Sequence, residues 1–440
     1  MRRRQGSEPG RDRVKVNMSR LALDKLRARG ALRVPSPGIS FAAFFLLLSL
    51  RHPGMPFNAE FWGEDGWIWY PDAYNYGFRR LFQPHTGYLQ TISRLIGLLA
   101  QPVPLTWAPF VFATTALAVQ AAVATYVLSP RLTPAWPSLR GRALFALLYV
   151  ALPNSWEVYG NVTNIHWHLG LLAFLVLVSA PAATWGGRVW DSAVLLLSGV
   201  SGPFCIFLLP IALWEIHARR DRTTLWRGGL IAAAVCTQAG FLLSASLDAR
   251  PSVPLQAGPR MLARIVSMQV VLGAVLGEHW MHRYVNWRIW QNNLMPVAVL
   301  LGGTALCVVA CLRGRPILRK PCVAGGLVLT AGLLKPNLGG SPPWPSLATP
   351  ATGARYFVLP MLAWVGVLLT LSADRLLSLR AVGIGALAIM IVNLPGDWFY
   401  PNLPATGFQD AARAFERAPP GVTVKLGINP YVQIMTLTRH

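Results

Sequence analysis

The chain has 440 residues, 53% of them apolar and only 13% charged, with 17 Trp and a formal net charge of +23 from 40 Lys plus Arg against 17 Asp plus Glu. That is too apolar for an ordinary soluble enzyme and leaves room for many membrane crossings of about 20 residues each. The bases are spread over short loops without an interleaved aromatic platform, which argues against nucleic acid as a partner.

In chain order, residues 1–36 form an Arg-rich segment with no small-residue cleavage site, read as a disordered cytoplasmic tail leading into a signal anchor. A membrane domain over 37–394 follows. Runs free of Asp, Glu, Lys and Arg lie near 36–50, 105–129, 143–156, 165–180, 192–214, 228–247, 293–312, 321–334, 356–373 and 381–394. The expected fold is an all-α polytopic membrane protein with about ten or eleven crossings, some of them half-helices. Positive charge recurs in alternate loops: Arg131, Arg140 and Arg142; Arg188; Arg219, Arg220, Arg222 and Arg227; Arg313, Arg315, Arg319 and Lys320; Arg375 and Arg380. These loops are expected in the cytoplasm. The alternation holds only if 192–214 crosses twice, turning at Ser201-Gly202-Pro203, where Gly tolerates unusual dihedrals and Pro lacks a donor.

The remaining loops, 51–104, 154–165, 248–292 and 335–355, are expected on the outer face, with an extracytoplasmic α/β segment over 395–440. In that segment Thr406 and Gln409 have capping-box spacing, and Phe408, Ala411, Ala412 and Phe415 share a helical face. VTVKL and YVQIMTL alternate like two strands. The segment is too small to fold alone and is expected to pack on the outer loops. Cys307 and Cys311, four apart on one helix face, would suit a soft metal, but no third ligand is near in sequence, so they read as helix-packing residues.

Residues 61–77, FWGEDGWIWYPDAYNYG, gather Glu64, Asp65 and Asp72 among seven aromatic rings in a chain otherwise poor in acid. An aromatic belt at headgroup level accounts for Trp67, Trp69 and Tyr70. It does not account for adjacent carboxylates between Gly63 and Gly66, because aromatic walls make ionising both costly. Such a cost accompanies reactive, cation-binding or sugar-binding sites. Downstream, Tyr88, Ile92, Leu95, Ile96 and Leu99 outline an interfacial helix.

Several short motifs accompany this stretch: G-E-D-G at 63–66; His85, Gly87, Tyr88 and Leu89; Asn161, Asn164, His166, Trp167, His168 and Leu169; S-G-P-F at 201–204; A-R-Y-F at 354–357; and I-N-P at 428–430. Together they resemble bacterial polytopic proteins of the glycosyltransferase-C superfamily over most of residues 40–435. The resemblance implies a polyprenyl-phosphate sugar donor, a glycan or lipid acceptor, a site on the outer face of the bacterial inner membrane, and an acid of the first outer loop as catalytic residue. On this reading Asp65, with Glu64 second, is the expected base of an inverting transfer, a task suited to a carboxyl whose pKa apolar walls raise.

Arg355 beside Tyr356 is the expected partner of the departing phosphate, since a guanidinium fork suits phosphate geometry. Arg79 and Arg80 are candidates for the same role or simply neutralise the acidic stretch, and His85 is a further donor-site candidate. Asp72, Trp67, Tyr88, His166 and His168 are expected to line the cavity or meet the acceptor. Glu64, Asp65, Asp72, His85, His166 and His168 offer hard and borderline ligands on one face for a divalent metal that would bind the phosphate. A non-catalytic lipid- or glycan-binding scaffold is the alternative. A transporter is less consistent, because neither ionisable residues within the spans nor a repeat is visible.

Overall fold

Backbone amides surrounded by oil must bond within their own segment, and the apolar runs accordingly fold as helices. The computed structural model describes residues 35–57, 60–244, 253–338, 342–430 and 433–440. The basic tail therefore lies outside the described residues except at its end, as does the start of the 248–292 loop. From Pro37 to His440 the chain forms one unit.

Apart from short helical turns such as Gly54–Phe57, Arg288–Gln291 and Pro343–Leu347, the helices, in order, are α1 (Pro37–Arg51), α2 (Tyr70–Tyr76), α3 (Thr91–Leu99), α4 (Leu105–Val127), α5 (Leu139–Val150), α6 (Ile165–Val178), α7 (Trp185–Gly199), α8 (Phe204–Arg219), α9 (Arg222–Ser244), α10 (Pro259–Tyr284), α11 (Leu294–Arg313), α12 (Pro316–Leu334), α13 (Val358–Ser372), α14 (Leu377–Trp398) and α15 (Phe408–Arg417). Six of them, α4, α9, α10, α11, α12 and α14, are long and apolar enough to cross a membrane, and α1, α6 and α13 are shorter apolar helices. The expected count of ten or eleven crossings exceeds the helices of spanning length.

Burial varies widely across both groups: α1 has four buried residues, whereas the apolar windows of α4 and α10 are 50% and 56% buried. Every residue of α6 is buried, and most of α13 is. Helices enclosed by protein need not match the thickness of a bilayer. In contrast, only 17% of the apolar window of α11 or α14 is buried, leaving most of each helix's apolar surface outward.

The break expected at Ser201-Gly202-Pro203 separates α7 from α8, with Gly202 at φ +111. It is sealed against the first long loop. Gly202 N–H donates to the Leu89 carbonyl at 2.8 Å, Thr91 N–H to Val200 at 3.2 Å, and Ile92 N–H to Ser201 Oγ at 2.9 Å. Gln238 of α9, fully buried, accepts from Leu89 N–H at 2.9 Å and reaches the carbonyls of Leu89, Gly199 and Gly202. Non-helical backbone inside a membrane bundle is stable only when satisfied in this way.

The loops expected to share a side do meet. At the basic end, Asp191 accepts from Arg131 at 2.6 and 2.9 Å and from Arg227 at 2.6 Å. Glu215 pairs with Arg219 and Lys320, and Asp374 with Arg313. At the opposite end, buried Arg51 donates to the carbonyls of Val150 and Leu152 and lies 4.4 Å from the Tyr400 ring centroid.

The C-terminal segment folds as α15 followed by an antiparallel hairpin of β1 (Thr423–Ile428) and β2 (Gln433–Thr438), registered from Thr423 opposite Thr438 to Ile428 opposite Gln433. It packs on the acidic end. Phe408 meets Phe61 edge-on at 5.4 Å, and Phe61 meets Phe112 at 5.1 Å. The capping box does not form. Gly407 takes the cap position at φ +73, while Thr406 bonds Glu60 and Gln409 bonds the Thr106 carbonyl. A distant carboxylate has captured the side chain that the spacing assigns to the helix.

Candidate functional site

The acidic stretch is held from behind by the C-terminal segment. Gly63, at φ +50, donates its N–H to the Asn429 carbonyl at 2.6 Å, and Asn429 N–H returns to Phe61. This anchors a π-helical turn over Asp65–Trp69, with Glu64 at its cap. Successive residues on a helical turn point in different directions. Glu64 and Asp65 consequently have different environments.

Asp65 is buried, 2% exposed, and accepts from Val162 N–H at 3.0 Å, Thr163 N–H at 2.6 Å and Thr163 Oγ1 at 2.7 Å. Burial pushes its carboxyl up to about 7, against the pull of these three bonds, and the neighbouring Glu64 adds to the rise. Its visible work is to fix the loop between α5 and α6. Asn161 and Asn164 complete that loop: Asn161 Nδ2 donates to the Glu157 carbonyl at 2.8 Å, and Asn164 Nδ2 to the same oxygen at 2.9 Å.

The fixed loop presents Glu157, whose carboxylate receives the Arg355 guanidinium and also the Arg355 N–H at 3.1 Å. Arg355 bonds the Asn337 carbonyl as well and lies 4.9 Å from the Tyr356 ring centroid. Tyr356 in turn accepts from Asn337 N–H at 2.7 Å. Glu64 and Tyr88 act electrostatically on Arg355.

These side chains open into one polar cavity of about 210 Å³. Its walls include Glu64, His85, Tyr88, Glu157, His166, Arg355 and Tyr356, with Trp62, Trp69 and Trp167 as aromatic panels. Trp62, edge-on to Trp156 at 5.2 Å, also bounds a neighbouring apolar cavity of about 340 Å³ lined by His52, Tyr159 and Tyr400. A charged chamber thus adjoins an aromatic one, with Trp62 and Pro430 lining both.

Of the residues singled out in sequence, Glu64, His85, Tyr88, His166, Arg355 and Tyr356 share the polar cavity, and Asp65 supports its wall from behind. The others lie elsewhere. Asp72 is bound to Arg94 at 2.7 Å, Trp67 is 57% exposed, and Arg79 is exposed. Arg80 lies against the Tyr76 ring. His168 points away from His166 and is held by Tyr149 at 2.8 Å and the Val158 carbonyl at 2.9 Å.

The six groups considered for a divalent metal therefore do not converge. Among the described residues, the one group of three metal-ligating side chains is Cys307, Cys311 and Cys322. Glu157 and Asn337 carry no local motif for their roles. The only hint in the sequence is the acid upstream of the Asn-rich entry to α6. No family model, no curated protein and no solved structure matches the chain.

Proposed function

We propose that this chain is a membrane glycosyltransferase that moves a sugar from a polyprenyl-phosphate donor to a glycan or lipid acceptor on the outer face of the bacterial inner membrane, with inversion. The topology belonging to this reading has about ten or eleven crossings, a cytoplasmic N-terminus and an extracytoplasmic C-terminus, with α7 and α8 crossing as a pair. The observation that carries it is the placement of a carboxylate, Glu64, and a guanidinium, Arg355, in the walls of one polar cavity at the acidic end of the bundle.

In the proposed reaction the acceptor hydroxyl attacks the anomeric carbon as Glu64 takes its proton. The bond from that carbon to the phosphate oxygen breaks on the opposite face, and its electron pair leaves with the lipid phosphate. Arg355, relinquishing part of its pairing with Glu157, meets the developing charge. In this reading the Tyr88 and Tyr356 hydroxyls and His85, all in the cavity wall, bond sugar or phosphate oxygens. Asp65 acts as a positioning residue through the Val162-Thr163 backbone, so the proton-accepting role passes to its neighbour Glu64. The aromatic chamber beyond Trp62 offers apolar faces for a sugar ring or prenyl unit.

A scaffold that binds lipid or glycan without chemistry would use the same two chambers. Supplying membranes with labelled lipid-linked sugars tests the choice. Transfer that depends on the chain supports the enzyme, whereas donor binding with no product at any acceptor supports the scaffold.

A further inference from the structure

Far from this cavity, Cys307 and Cys311 of α11 meet Cys322 of α12 near the loop that joins the two helices. The spacing of the first two residues makes half of a site. The helical hairpin supplies the third thiol, 11 residues beyond Cys311 in sequence yet on the facing helix. Cys307 and Cys322 sulfurs are 3.9 Å apart, and all three lie within 4.8 Å of one another.

Those separations have a chemical meaning. Three sulfurs each about 2.3 Å from a central ion in one plane stand about 4 Å apart. A disulfide would require two of them at about 2.0 Å, which leaves the third idle. Among the described residues no His, Asp or Glu joins the group. A structural zinc centre takes four protein ligands. Soft thiolates without a fourth donor favour monovalent copper. Arg319 donates through Nε to the Cys311 carbonyl at 3.0 Å, which places a guanidinium beside the group and offsets part of its negative charge when the thiols ionise.

We propose that Cys307, Cys311 and Cys322 form a three-thiolate site for Cu(I) that ties α11 to α12. Binding involves no electron transfer. Three S–Cu bonds form, up to three thiol protons pass to solvent, and the site carries a net charge of −2 before Arg319 is counted. It stands independently of sugar transfer.

The test is titration of the full chain, purified in detergent with a non-thiol reductant, using Cu(I) against a competing Cu(I) chelator. The expected result is one copper per chain with a thiolate-to-copper charge-transfer band, proton release on binding, and a higher melting temperature on loading. C307S, C311S and C322S should each lose the one-to-one binding while melting like the metal-free wild type, and C205S and C236S should bind normally. Copper uptake no greater than that of the triple serine variant overturns the proposal. So does uptake undiminished in C322S, retention of Zn(II) with rejection of Cu(I), or a Cys307–Cys322 disulfide that forms in preference to copper loading.

Discussion

Arg355 and Glu157, 198 residues apart, are bonded twice, once through the guanidinium and once through the Arg355 N–H. The arrangement fixes where the guanidinium points before any ligand arrives. A preset donor loses less on meeting a developing charge than one that must first be ordered.

Replacing the fork while keeping its charge should therefore be costly. R355K is expected to lower kcat/KM for transfer by about 100-fold, because an ammonium cannot reproduce paired contacts to phosphate. E157Q keeps the cation but loosens its mooring, and a loss of about tenfold is expected. Steady-state kinetics on membranes carrying equal amounts of folded protein checks both. R355K at the wild-type rate would remove Arg355 from the chemistry.

Asp65 makes a prediction about pH rather than rate. Its folded carboxyl titrates at about 7, above the ordinary value of 3.8, because it is buried. Between roughly pH 4 and 7 the folded state binds more protons than the unfolded one, so this residue's contribution to stability is full below that window. It is lost as the pH rises through it, by on the order of 4 kcal/mol at most. Melting temperatures in detergent across that range should fall with rising pH in the wild type. In D65N this component should be absent, and the bonds to Val162 and Thr163 weakened. An identical slope in D65N would contradict the assignment.

Gln238 offers a test of the helix break. Q238L removes the partner of Leu89 N–H, the side-chain donor to the carbonyls of Gly199 and Gly202, and one of two donors to the Leu89 carbonyl, which keeps Gly202 N–H. Buried backbone groups left unpaired cost about 1–3 kcal/mol each when water cannot reach them. A loss of about 2–4 kcal/mol is expected after partial relaxation, read as a lower melting temperature. Unchanged melting would mean that the turn is sealed by other contacts.

What the sequence disclosed, and what it hid, follows from the range of each interaction. The turn at Ser201-Gly202-Pro203 and the C-terminal hairpin were legible because backbone freedom and two-residue alternation are local properties. The meeting of the basic loops was legible because charge recurs loop by loop. The capping box failed because Glu60, 346 residues from Thr406, competes for the same hydroxyl. The number of crossings was not legible because an apolar run reads alike whether it faces oil or protein, and α6 is enclosed along its whole length.

Within the site, Arg355 and Tyr356 could be singled out from their position at a helix start, but Glu157 acquires its role only through a contact across the fold. Glu64 and Asp65 are adjacent acids between two glycines, and only the rotation of the π-helical turn decides which faces the cavity. The third thiol beside Cys307 and Cys311 was hidden for a similar reason, since helix packing rather than spacing brings Cys322 to it.

The most direct measurement of the central claim compares E64Q with the wild type in a transfer assay using a lipid-linked sugar donor, with donor binding and melting temperature followed in the same preparations. The account predicts that E64Q binds donor and melts as the wild type does, yet transfers sugar at least about 100-fold more slowly. Transfer by E64Q at the wild-type rate would contradict it.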